Sequence, residues 1–141
     1  MSAFIQLEDY DATLHREILD SLTRSDEAII ETCEDQAIAE MKGYLKSRYD
    51  VDAIFSKTGA ERHPLILMYA KDIAVYHIFC IHNPMKMSKI REDRYERAIS
   101  WLKMANSGDI VIDGADRLPE EELHDNSRWQ IRSNGIKPTH F

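Results

Sequence analysis

The amino-acid sequence predicts a mainly all-α domain, on three observations. Two stretches repeat apolar residues at the three-four spacing of one helix face, a third is apolar on every side, and capping or turn residues mark the joints between them. With 141 residues, 43% of them apolar, the chain can bury a core of its own without metal or disulfide staples. We expect a four-helix core with a long central buried helix over residues 1–108, followed by a short extended or β C-terminal arm over residues 109–141.

Leu7, Tyr10, Leu14, Ile18, Leu19 and Leu22 keep a helical spacing that Asp11 and Thr13 interrupt, which predicts short helical turns and not one rod. Ser25 is placed to cap a long helix, with Asp26 and Glu27 in the first turn where the helix dipole favours negative charge. Its stripe runs through Ile30, Cys33, Ala37, Met41, Tyr44, Leu45 and Arg48 to Tyr49, about six turns at the α-helical pitch. Residues 50–62, with Ser56-Lys57-Thr58-Gly59, read as a loop pinned to the body by Val51, Ile54 and Phe55.

Pro64 suits the first turn of the next helix, where its missing N–H costs nothing. From Leu65 to Ile81 only Lys71, Asp72 and His77 are clearly polar, so this is the expected central helix, packed on all sides. Asn83-Pro84 ends it. Ser88 caps a further helix with the stripe Arg91, Arg94 or Tyr95, Ala98, Trp101 or Leu102, and Ala105, and Gly108 stops it. Beyond lie a predicted short strand at residues 109–112, a turn at Asp113-Gly114, and a second extended stretch at residues 129–132.

Eighteen Lys and Arg against twenty-five Asp and Glu give a net charge of −7, which opposes attraction to phosphate backbones and anionic lipid. Residues 1–10 lack the basic flank of a signal peptide, and no stretch is expected to span a bilayer, so the reading is a soluble cytoplasmic protein with no membrane partner. Cys33 and Cys80 fall inside helices without disulfide or zinc-ribbon spacing, as two buried thiols of a reducing compartment. His77, Cys80 and His82 are spaced too unevenly round a helix to hold a metal together, and the five glycines are too scattered for a phosphate loop. Glu31, Glu34 and Asp35, like Glu120, Glu121 and Glu122, read as solvated acidic faces. The sequence therefore nominates no catalytic residue, no cofactor and no metal ligand.

Asp72 is the informative charge. In the middle of an apolar helix it persists only if paired, and Arg48, Arg94 and Arg97 are the candidates for a structural ion pair fastening the central helix to its neighbours. Its replacement by alanine is expected to lower thermal stability.

Gly43-Tyr44-Leu45-Lys46-Ser47-Arg48-Tyr49, His63-Pro64-Leu65, Asp72-Ile73-Ala74-Val75-Tyr76, Arg94-Tyr95-Glu96-Arg97-Ala98-Ile99-Ser100-Trp101-Leu102 and Ser107-Gly108 together resemble a phage family. It is the family of Mu-like prophage proteins of unknown function encoded among head and tail morphogenesis genes, and the resemblance runs from Phe4 to Gly108. It implies a helical fold similar to head-tail connector, or head-completion, proteins that assemble as a ring beneath the portal. Tyr44, Arg48, Tyr49, Asp72, Tyr76, Arg94, Tyr95 and Trp101 match positions of that family and look like packing positions. The implied partners are further copies of the chain and the portal and tail-side proteins, with the protein in the host cytoplasm and then in the virion. Trp129, Ile131 and Phe141 are the candidate interface anchors, since tryptophan is favoured at interface hot spots; the alternative is that the tail folds back on its own domain. The competing function is a small helical regulatory or DNA-binding protein using Arg91, Arg94 and Arg97. The interleaved Glu92, Asp93 and Glu96 argue against it.

Overall fold

The computed structural model of the chain describes residues 4–12, 27–82, 85 and 87–119, and over these the architecture is mainly helical, as expected. Four α-helices follow in order: α1 (Glu27–Leu45), α2 (Val51–Ser56), α3 (Pro64–His82) and α4 (Lys89–Ser107). Short 3-10 stretches stand at Leu7–Ala12 and Gly59–Glu61.

The hydrophobic pattern explains the packing. Ile30, Cys33, Ala37, Met41 and Leu45 of α1 are buried, and this face meets α3, the most extensive helix contact in the fold. Ala98, Trp101, Leu102 and Ala105 of α4 are buried too. Between α3 and α4, Tyr69 stacks on Trp101 at 4.5 Å, Asp72 meets Arg97, and Tyr76 stacks on Tyr95 at 3.9 Å. Residue numbers rise along one helix as they fall along the other, so the pair is antiparallel. Aromatic stacks of this kind add roughly 0.5–1.5 kcal/mol each beyond the area they bury.

Local chemistry sets the helix ends. Pro64 stands at the first position of α3. The Ser88 hydroxyl accepts the Arg91 N–H at 3.3 Å and caps α4, which Gly108 ends in the left-handed conformation at φ +86°. The predicted cap at Ser25 lies outside the described residues, as do residues 13–22 of the N-terminal stretch.

Several expectations are corrected. Residues 50–62 are not a plain loop, because the Asp50 side chain accepts the Ala53 N–H and caps α2, whose Ile54 and Phe55 are the buried anchors. The α1 helix ends at Leu45, and Tyr49, though buried, stands beyond it. Cys80, near the end of α3, is exposed, and of the two cysteines only Cys33 is buried. Nor is α3 covered on every side, because Leu65 and Ile81 are exposed. Its Pro64–Ile81 stretch is, against expectation, long and apolar enough to cross a membrane by length and composition. Half of that stretch is buried within the protein, and Lys71 and Asp72 stand near its middle, as in a core helix.

Residues 109–112 form no strand. Ile112 is buried and Val111 exposed, so the alternation is real, but no neighbouring strand is there to pair with among the described residues. The segment instead lies on the helical body. The Ile112 N–H donates to the Tyr49 hydroxyl at 2.9 Å, the Asp50 N–H to the Asp116 carbonyl at 3.0 Å, and the Leu118 N–H to the Arg48 carbonyl at 3.4 Å. Arg117 sits over the Tyr49 ring, and Lys57 pairs with Asp116. The start of the expected arm, to residue 119, is thus part of the packed domain.

Candidate functional site

The polar chemistry of the described residues is concentrated at the joints between elements. Asp72 lies on the face of α3 that meets α4, its side chain only 4% exposed. Arg97 donates to it at 3.4 Å and also lies over the Tyr69 ring. Burial pushes the Asp72 carboxyl above the usual carboxylate range, and the positive charges of Arg94 and Arg97 only partly offset it. Arg97 therefore makes the contact and Arg94 adds attraction.

Arg48 is elsewhere. It follows the end of α1, and its guanidinium donates to the carbonyls of Asn106 at 2.9 Å and Ser107 at 3.2 Å, the unpaired acceptors at the end of α4. A cation there also meets the negative end of the helix dipole. The ion pair anticipated between Asp72 and Arg48 is not formed, because Arg48 is spent at the far end of α4.

A second joint went unread in the sequence. Glu34 follows Ile30 by four residues and precedes Ala37 by three, which places it on the inward stripe of α1 and not on a solvated face. That spacing was the available signal. The Tyr10 hydroxyl, itself fully buried, donates to Glu34 Oε1 at 2.8 Å. Burial, with the negative charges of Asp35, Glu31 and Asp9, raises the Glu34 pKa to about 7 despite that hydrogen bond.

The rest of the N-terminal segment is held by Arg62, which donates to both carboxylate oxygens of Asp9 and to the Phe4 carbonyl. Burial alone would raise the Asp9 pKa, but the hydrogen bonds from Arg62 and the Gln6 N–H, with the charges of Arg62 and Lys71, hold it below the usual range. Phe4 packs edge-on against Phe55 at 4.9 Å.

On the α1–α3–α4 side, Glu40 accepts from Tyr95 at 2.9 Å and meets His77 Nε2 at 3.1 Å. His77 is thus a helix-to-helix contact, away from any grouping with Cys80. Burial pushes the Cys33 thiol up to about 11, which suppresses its thiolate. Among the described residues no group of three or more His, Cys, Asp or Glu is arranged to hold a metal ion. Trp129, Ile131 and Phe141 lie outside the described residues.

These joints bind element to element: α3 to α4 through Asp72, α1 to α4 through Arg48, and the N-terminal segment to α1 and α3 through Glu34, Arg62 and Lys71. Chemically the arrangement holds shape. A family model described as bacteriophage Mu, Gp36 matches residues 3–130. No curated protein and no solved structure matches the chain.

Proposed function

We propose that this chain, which belongs to the bacteriophage Mu Gp36 family, is a head-tail connector or head-completion adaptor of the phage particle, acting by protein-protein assembly without catalysis. One observation carries the reading beyond membership: the half-buried Asp9 and the buried Glu34 and Asp72 each join two elements of the fold. Such groups stiffen a body that has to keep its shape while neighbours pack on it. The partners proposed are further copies of the chain and the portal and tail-side proteins, met in the host cytoplasm and retained in the virion.

The test is co-sedimentation of the purified chain with a portal ring of its own phage, with electron microscopy of the complex. Added density on the tail side of the portal is the expected result. A chain that neither binds the ring nor occurs in purified particles would overturn the adaptor reading. The DNA-binding alternative predicts retention of duplex DNA that weakens with salt, and the net charge of −7 opposes it.

A further inference from the structure

Residues 4–12 are fastened to the helical body by individual side chains. Tyr10 reaches Glu34 of α1, Arg62 takes the Asp9 carboxylate and the Phe4 carbonyl, Lys71 of α3 takes the Asp9 carbonyl, and Phe4 lies against Phe55 of α2. The polar joints that bind the helices to one another use other residues: Asp72 with Arg97, Arg48 at the end of α4, and Glu40 with His77 and Tyr95. None of these joints passes through the N-terminal segment. A 3-10 stretch of six residues has little structure of its own to lose, so the segment can leave while the helices stay packed.

One of the fastenings is unlike the others. Arg62 and Lys71 bring positive charge to Asp9, whereas Glu34, 5% exposed, takes its hydrogen bond from the neutral Tyr10 hydroxyl and forms no ion pair among the described residues. Tyr10 and Asp9 face it from the segment, and Glu31, Asp35 and the Cys33 thiol from α1 itself. The other elements spend their groups elsewhere: α3 turns Lys71 to Asp9 and sets Cys80 near Cys33, α2 pairs Asp52 with Lys42, and α4 places Tyr95 on Glu40.

The buried Tyr10 side chain is part of the cover over Glu34, so detachment of the segment opens that carboxyl to water. Burial and the neighbouring acids hold the Glu34 pKa at about 7, and in water it returns toward 4.5. The attached segment therefore keeps the Glu34 proton and the detached one gives it up. Attachment is strongest below pH 4.5 and weakens as pH rises to about 7. Burial pushes Cys33 and Tyr10 to titrate well above this window, and Arg62 holds Asp9 below it. His63 and His77 face Asp113 and Glu40 instead.

We propose that residues 4–12 are a strap latched by the Glu34 proton: it holds to the body at mildly acidic pH and lets go as Glu34 ionises, with the helices still packed. The latch belongs to the fold and stands whether or not the adaptor reading does.

Hydrogen exchange of the full-length chain, followed by mass spectrometry at pH 5 and pH 8 and corrected by the exchange of an unstructured peptide, reads the strap directly. Protection of residues 4–12 is expected to fall on the order of tenfold to a hundredfold between the two, while that of α3 changes little. In Glu34→Gln, which cannot ionise, the strap should be as protected at pH 8 as at pH 5. Circular dichroism confirms that both chains keep their helices at either pH. A strap whose protection does not respond to pH, one that loses protection only in step with α3, or a pH response that survives in Glu34→Gln overturns the latch.

Discussion

Glu34 and Asp72 are both acids on buried helix faces, and their partners decide what each does for stability. Glu34 has its pKa raised from 4.5 to about 7 by burial and by neighbouring acids, so the folded chain binds more protons than the unfolded one between those values. Stability falls as pH rises through that window. Glu34→Gln keeps an acceptor for Tyr10 and removes the charge, so at pH 8 its melting temperature should exceed that of the unsubstituted chain, by a gain on the order of 1–3 kcal/mol. At pH 4 the two should agree; equal melting temperatures at both pH values would count against a buried charge. Asp72 has an exposed partner in Arg97, which reduces what the pair contributes. Asp72→Ala should cost about 1–2 kcal/mol through the lost acceptor and packing. Asp72→Asn, which keeps the shape without the costly charge, should cost less, and thermal unfolding of both variants separates charge from contact.

The helix ends add to what the helix faces do in holding the elements in register. Gly108 ends α4 at φ +86°, and a methyl group there would stand 2.9 Å from the Arg48 guanidinium, which must hold its place to reach the Asn106 and Ser107 carbonyls. Gly108→Ala therefore pays twice, for a left-handed backbone and for displacing Arg48. A loss of about 1–2 kcal/mol in urea unfolding is expected; no loss would show that Arg48 has room to move. The elements themselves were largely legible, because Ser88, Pro64 and Gly108 mark boundaries by mechanisms that need only local sequence. The caps of α2 and the loss of the strand at residues 109–112 were not. An Asx cap looks like any loop aspartate until the N–H that donates to it is placed, and an alternating segment becomes a strand only if another strand lies beside it.

At the scale of the whole molecule, the sequence showed that Asp72 needed an arginine but not which one, because that depends on the register of α3 against α4. Arg48 was as good a candidate until the fold set it at the opposite end of α4 from the arginine cluster. Glu34 was hidden for a different reason: its helical position pointed inward, but a carboxylate among carboxylates reads as surface unless position is weighed above composition. The N-terminal pattern predicts only short helical turns, whereas the segment's weight in the fold comes from contacts made far along the chain. Asp9 meets Arg62 at a separation of 53 residues, and Lys71 reaches the Asp9 carbonyl from 62 residues on. During translation at about 5–20 residues per second, Phe4 and Asp9 are made roughly 3–10 s before the arginine that holds them. Phe4, Ile5 and Tyr10 end fully or almost fully buried, so the segment settles only after residues far along the chain have been made.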